Sequence, residues 1–224
     1  RKRTIILTYN ISVIMGKCIV CGNKNIKRVV EMGFHPLADT FLKKEQLLDP
    51  QRLYPLNCLL CQKCGHFQNE IFVPGEERYI ESNYSYTSSN SPGAMAHWDE
   101  FCDTVSKFID LEKGDTVIEF GSNDGYLVGQ FQKKGARVTG IDPSPIMAGV
   151  ANKNGVYTIC DFLSQDAIKS AVKKYGKAKL ICGNNVLNHI ENVNEAMTTI
   201  RSGLKNDGYL VVEAPSLQDT VQKY

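Results

Sequence analysis

No run of the 224 residues approaches the length of a membrane span. Neither sign of charge dominates, since 26 Lys and Arg stand against 24 Asp and Glu, leaving a net charge of +2. That balance argues against strong nonspecific binding to nucleic acid, although a local patch stays open. A convincing leader is also missing. Residues 1–14 begin like a signal peptide, but Thr8, Tyr9, Asn10 and Ser12 interrupt the apolar core and no small-residue cleavage site follows. Met15 then reads as the true start, residues 1–14 as a disordered or non-native extension, and the expected location as cytoplasmic. Hydrophobic and charged fractions of 42% and 22% are ordinary for a globular protein. The length suits one large domain, or a small domain beside a medium one.

Disulfides would be the usual reading of 8 cysteines in a secreted chain. Their spacing points elsewhere. Cys18-Ile-Val-Cys21-Gly22 and Cys61-Gln-Lys-Cys64-Gly65 are two copies of one knuckle. Two residues between thiolates let both sulfurs reach one ion, and the following glycine allows the left-handed turn that closes the knuckle. Cys18, Cys21, Cys61 and Cys64 are therefore expected to hold one structural zinc. Cys58-Leu-Leu-Cys61 has the same spacing, but only the Cys61/Cys64 pair is followed by glycine. Cys102, Cys160 and Cys182 fall in apolar stretches and read as buried thiols of a reducing compartment. Redox use of either pair is the minor alternative, because a closed four-thiolate site leaves no open position. Between the knuckles, Gly33 to Leu42 reads as extended, with Pro36 barring a helix, and His35 as a surface or packing histidine rather than a fifth ligand.

The stretch from Val117 to Asp142 organises the rest. Thr116 to Phe120 is an apolar, β-branched run suited to a buried parallel strand. A turn of Gly121, Ser122, Asn123, Asp124 and Gly125 follows, then a helical pattern closed by Gly135, then a second strand ending in Asp142. That is half of a nucleotide-binding βαβ unit, and Asp142 stands about twenty residues past the turn, where a ribose-binding carboxylate belongs. The turn is not G-x-G-x-x-G: Asn123 and Tyr126 replace the second and third glycines. A pyrophosphate fits such a turn poorly, whereas S-adenosylmethionine has a ribose and no phosphate. Glu119 adds a carboxylate for the ammonium of its methionine part. A ligand-free α/β turn is the bland reading, outweighed because two strand-end acids flank the glycine turn.

Helices and strands alternate to the end, giving an α/β, doubly wound Rossmann-like sheet behind a small zinc-binding domain. Pro145 opens a helix that stops near Gly155, and a third strand, Val156 to Cys160, ends at Asp161 and Phe162, placed to hold an adenine. Asp161 equally suits a helix N-cap. After a helix over Ser164 to Tyr175, a fourth strand, Lys179 to Gly183, leads into Asn184 and Asn185, whose carbonyls can face a sulfonium methyl. A helix over Val193 to Lys205 and a strand over Tyr209 to Glu213 follow. The expected organisation is an extension at 1–14, a zinc-binding domain at 15–78, a connector loop and helix at 79–112, and a cofactor domain at 113–224. Further strands of such a sheet would need more sequence, so a fragment is expected. Val73 to Glu77 reads as a turn closing the zinc lobe. The connector opens with Asn83 to Gly93, a hydroxyl-dense loop with Tyr84, Tyr86 and Ser88. A solvated linker is the plain reading of such composition. Two tyrosines, each with a proton-transfer hydroxyl, favour a site loop. Met95, Trp98, Phe101, Cys102, Val105, Phe108 and Ile109 share one face of a packing helix, with His97 beside the cleft or at the surface.

In this order the motifs resemble the sugar C-methyltransferases of deoxysugar pathways. P-L-A-D-T-F-L, Y-P-L-N-C-L-L-C-Q-K-C-G, N-Y-S-Y-T-S-S-N-S, E-F-G-S-N-D-G-Y-L, G-I-D-P-S, G-N-N-V-L-N-H-I and G-Y-L-V-V-E-A-P carry the likeness from about Cys18 onward. The resemblance implies a zinc-binding domain, a class I S-adenosylmethionine domain, and methyl transfer to a carbon beside the keto group of a nucleotide-linked sugar. It places Glu119, Gly121, Asn123, Gly125, Asp142, Asp161, Phe162, Asn184 and Asn185 at the cofactor. Glu213 and Ser88 fall at the sugar, with Tyr84 or Tyr86 handling the proton. His189 is a further candidate whose place also suits capping and packing. Family members usually carry asparagine where Asp39 stands and a longer serine segment after the tyrosines, and they continue into a histidine-containing segment that supplies the general base. A zinc-ribbon RNA-base methyltransferase is a rival, although Asn184-Asn185-Val186-Leu187 is not the N-P-P-aromatic motif of many such enzymes. A non-catalytic zinc- and nucleotide-binding scaffold is another.

Overall fold

The computed structural model describes residues 12–13, 16–38, 40–81 and 86–223. Tyr84, Asp39 and most of the 1–14 extension lie outside the described residues. The chain divides into two compact units, residues 1–85 and 86–224.

The first unit is built on short antiparallel pairings. Strand β1 (Ser12–Val13) pairs with β5 (Ile71–Phe72), and β2 (Ile26–His35), β3 (Tyr54–Cys61) and β4 (Phe67–Asn69) form a sheet in the order β2-β3-β4. Ile26 faces Cys61 and His35 faces Tyr54, with two register shifts between, the second beside Gly33 at φ +78°. Past His35 the described residues 36–38 and 40–42 are non-helical, in keeping with Pro36. Val73 to Glu77 does more than turn. Pro74 accepts the Arg78 amide and Glu76–Glu81 winds into one π-helical turn.

The second unit is a five-stranded parallel sheet with helices on both faces. Its strands are β6 (Thr116–Phe120), β7 (Arg137–Asp142), β8 (Thr158–Cys160), β9 (Ala178–Asn184) and β10 (Leu204–Glu213). The order β10-β9-β6-β7-β8 makes β6 and β9 neighbours, so the winding reverses between them and opens a crevice at their carboxyl ends. The helices are α1 (Pro92–Phe108), α2 (Tyr126–Lys133), α3 (Pro145–Lys153), α4 (Gln165–Tyr175), α5 (Val193–Gly203) and α6 (Leu217–Lys223). Four of them start at side-chain caps: Ser91, Ser144, Ser164 and Asn192 each accept an amide of the first turn.

Alternation along β6 sends Val117 to a core with Trp98, Cys102, Leu127, Val128 and Phe131, and Ile118 and Phe120 to a second core with Ile168, Ile181 and Ile200. Full burial of side chains such as Phe120 and Phe131 contributes about 1.5–3 kcal/mol each.

Several details differ from the sequence reading. The third strand begins at Thr158, because the Val156 amide closes α3 by donating to Ala151 past Gly155 at φ +82°. Helix α5 ends at Gly203, because Leu204 already pairs with Ala178. Phe108 leaves the buried face of α1 and is 75% exposed, meeting Tyr209 edge-on at 6.2 Å.

Candidate functional site

Two constellations carry chemistry, one in each unit. In the first, Gly22 and Gly65 adopt φ +69° and +73°, and their amides donate to the carbonyls of Cys18 and Cys61. Cys18 and Cys61 in turn donate to the carbonyls of Asn23 and His66. The two knuckles thus have the same backbone wiring. Gln68 joins the first of them to β4, accepting from the Ile19 amide at 3.0 Å and donating to the Lys17 carbonyl.

The wiring gathers four sulfurs. Cys18, Cys21, Cys61 and Cys64 have their sulfurs within 4.8 Å of one another, Cys18 to Cys64 at 3.7 Å and Cys21 to Cys61 at 3.6 Å. Zinc–sulfur bonds of about 2.3 Å in a tetrahedron put sulfurs about 3.8 Å apart, so the donor set and its geometry fit zinc. Without a cation the thiols compete for charge. Amide hydrogen bonds, that of Cys64 first, bring Cys61 down to about 6. The His66 amide pulls Cys64 down too, but Cys21, burial, Cys61 and Cys18 outweigh it and raise that thiol to about 12. Cys58 stays outside the cluster, buried and facing Asn69.

The second constellation lies at the carboxyl ends of β6, β7, β8, β9 and β10. Past Phe120 the chain turns sharply: Gly121 has φ +65°, Asn123 +51° and Gly125 +79°. Bareness at Gly121 serves the crossing chain, since a Cβ there would stand 2.3 Å from a Val186 methyl. Asp142 holds the turn from the next strand, Oδ2 accepting the Asn123 amide at 2.8 Å and Oδ1 the Ser144 amide at 2.9 Å. Asp161 follows, its backbone donating to the Asp142 carbonyl and its carboxylate accepting from the Phe162 amide and the Ser164 hydroxyl.

These are the motifs by which a family is told. Residues 95–223 match a family model described as "Methyltransferase domain". The chain belongs to that methyltransferase-domain family. Residues 18–79 match a second model, described as "Putative zinc binding domain". The cofactors that go with the two domains are S-adenosylmethionine and zinc. C-methyltransferase NovU of Streptomyces niveus is 31% identical over 206 residues, covering 92% of this chain and 49% of the relative. The chain therefore spans about half the length of the curated relative it matches. Among solved structures, plantazolicin methyltransferase BpumL with a pentazolic analogue and SAH is 17% identical at TM-score 0.48, over 59% of this chain and 51% of that one. The PH0226 protein of Pyrococcus horikoshii OT3 is 16% identical at TM-score 0.48, over 62% of each chain. Likeness of that degree identifies neither a substrate nor a site.

In this methyltransferase domain the strand-end acids are buried. Burial pushes the Glu119 carboxyl well above the usual carboxylate range. The Val128 amide opposes that rise, and the charges of Asp142 and Asp124 add to it. Burial likewise raises Asp142, against the amides of Ser144 and Asn123. Glu119 leaves Oε1 without a protein partner among the described residues, because its one hydrogen bond goes through Oε2. Across the crevice, Asn184 accepts the Glu213 amide, and its own buried Nδ2 has no protein partner among the described residues. Asn185 takes φ +56° and donates to the Glu213 carbonyl. His189 is exposed beside Asn188 in a 3-10 turn, Leu187–His189.

Tyr86 is 41% exposed, and its carbonyl accepts from Asn123 Nδ2 at 3.0 Å. Ser88 donates its amide to Asn123 Oδ1 and accepts Trp98 Nε1–H at its carbonyl. The sequence reading did not find Asp124 and Ser89, joined through Oδ2 at 2.7 Å, nor the pairing of His97 Nε2 with Glu213 at 3.0 Å. Its place within the glycine turn was the one local signal for Asp124. A separate cavity of about 430 Å³ in the first unit is lined by Pro36, Leu42, Arg52, Tyr54 and Glu77.

Proposed function

We propose that the protein transfers a methyl group from S-adenosylmethionine to the carbon beside the keto group of a nucleotide-linked deoxysugar. The buried carboxylate of Asp142, fastened to the Asn123 amide of the glycine turn, carries the reading. Each Asp142 oxygen holds one backbone N–H and keeps a second lone pair, which suits the two hydroxyls of a ribose. Glu119 Oε1 is the acceptor for an ammonium, which would return that carboxyl to its charged form. Asp161 and Phe162, one strand further on, take the adenine by hydrogen bond and stacking. Gly121, Asn123 and Gly125 shape the turn, while Asn184 and Asn185 face it from across the crevice. Residues 15–78 serve as the zinc domain, 79–112 as the connector and 113–224 as the cofactor domain.

When bound, S-adenosylmethionine supplies an electrophilic methyl on a sulfonium sulfur. A carbon beside a ketone is no nucleophile until a base removes its proton and a donor stabilises the enolate oxygen. Tyr86 and Tyr84 of the serine-rich loop are assigned that proton handling, with His189 as a further candidate. Glu213 and Ser88 are assigned to the sugar. The relative named a C-methyltransferase, 31% identical, supports transfer to carbon.

Calorimetry with S-adenosylhomocysteine is the test. The unchanged protein should bind it and Asp142→Ala should lose it, whereas equal affinity in the two would refute the cofactor assignment. Incubation with a nucleotide-linked keto-deoxysugar and S-adenosylmethionine should then give a new C–CH3 signal by NMR. Binding without that product would remove the sugar and leave the cofactor.

A further inference from the structure

Asn123 sits in the cofactor turn, yet its side chain faces the loop that carries Tyr86. Nδ2 donates to the Tyr86 carbonyl at 3.0 Å, and Oδ1 accepts the Ser88 amide at 2.9 Å and the Asp124 amide at 2.9 Å. Both lone pairs of that oxygen are then used. Asp124 extends the hold, its Oδ2 accepting the Ser89 amide at 3.1 Å and the Ser89 hydroxyl at 2.7 Å, while Oδ1 takes the Tyr126 amide. From the other side the indole of Trp98 donates to the Ser88 carbonyl at 3.1 Å. Asn123 and Asp124 are each 7% exposed, so these bonds are shielded from competing water. Tyr86 is held through its carbonyl and is 41% exposed.

We propose that Asn123 and Asp124 are positioning residues that fasten the Tyr86 loop to the cofactor turn, so that turn and loop behave as one body. Asn123 then belongs to the loop's support rather than to the cofactor's ligands. The proposal rests on the turn being the cofactor site, and the experiment separates the two. Trp98 is the single tryptophan, and its N–H bonds the Ser88 carbonyl, so its fluorescence responds when the loop leaves the indole.

Asn123→Gly removes every side-chain bond while tolerating φ +51°, where alanine would add strain. In that variant the emission should move to longer wavelength and acrylamide quenching should rise severalfold. In Ser89→Ala, which alters no residue of the turn, affinity for S-adenosylhomocysteine by calorimetry should stay within about threefold of the unchanged protein. Asn123→Asp keeps the acceptor for Ser88 but not the donor to Tyr86, and should fall between the two. Ser89→Ala leaves the turn intact and removes one bond from the loop side. If Asn123→Gly fails to fold, a rise in quenching in Ser89→Ala supports the proposal and no change overturns it. Unchanged Trp98 signals in Asn123→Gly would overturn it. So would loss of ligand affinity equal to that of Asp142→Ala with Trp98 undisturbed. If the unchanged protein binds no S-adenosylhomocysteine, the cofactor reading falls while the Trp98 measurements still decide the loop.

Discussion

The carboxylate of Glu119, near the end of β6, accepts the Val128 amide in the first turn of α2 at 3.0 Å. Gly125 caps that helix without a side chain, so the strand supplies the acceptor that the cap lacks. An acid buried in this way serves the helix before it serves any ligand.

Its titration should be visible in stability. Glu119 has a raised carboxyl in the folded protein, so the native state holds a proton that the unfolded chain releases above about pH 4.3. Stability is then greatest below that pH and declines as pH climbs toward the folded value. Glu119→Gln keeps an oxygen for Val128 and has no charge to bury. Its melting temperature should match that of the unchanged protein at acid pH and exceed it increasingly as pH rises. Parallel curves would contradict the buried charge.

Metal analysis of the purified protein should find about one zinc per chain. Cys61→Ser should lose most of it, whereas Cys58→Ser should keep it, because only Cys61 is in the sulfur cluster. Thiolates must shed protons to bind, so zinc should leave as pH falls. Retention in Cys61→Ser would break the four-thiolate assignment.

Gly183 makes room for an aromatic ring. A Cβ there would lie 2.2 Å from Cζ of Phe120, which is fully buried. Gly183→Ala should cost about 1–3 kcal/mol by overpacking. Urea unfolding measures it, and a neutral result would mean that the ring has space to move.

His97 and Glu213 form a pair whose side chains are 49% and 36% exposed. Such pairs are worth about 0–1 kcal/mol. Glu213→Gln should therefore change urea stability by less than about 1 kcal/mol, while its backbone bonds to Asn184 and Asn185 persist. A larger loss of turnover than of stability would assign the carboxylate to the sugar.

Sequence reading does well where the cause is local. The apolar run at Thr116–Phe120, the glycines of the turn and the repeated Cys-x-x-Cys-Gly each act within a few residues, so their patterns survive in one dimension. It fails where a partner is distant. Nothing beside Asn123 announces that its side-chain amide meets Tyr86 and Ser88. Nothing near His97 announces Glu213. Phe108 fits the helical period, yet at the last turn of α1 it is 75% exposed and meets only the edge of Tyr209 among the described aromatic rings.

Strand β10 is bonded on one side only among the described residues, to β9. Its Tyr209 and Val212 are 39% and 40% exposed within an uncharged run, Tyr-Leu-Val-Val. Open backbone along such an edge is a template for another strand, and Lys205 and Asp207 guard only its beginning. Left uncovered, Tyr209 to Val212 is the stretch that pairing with another strand would use.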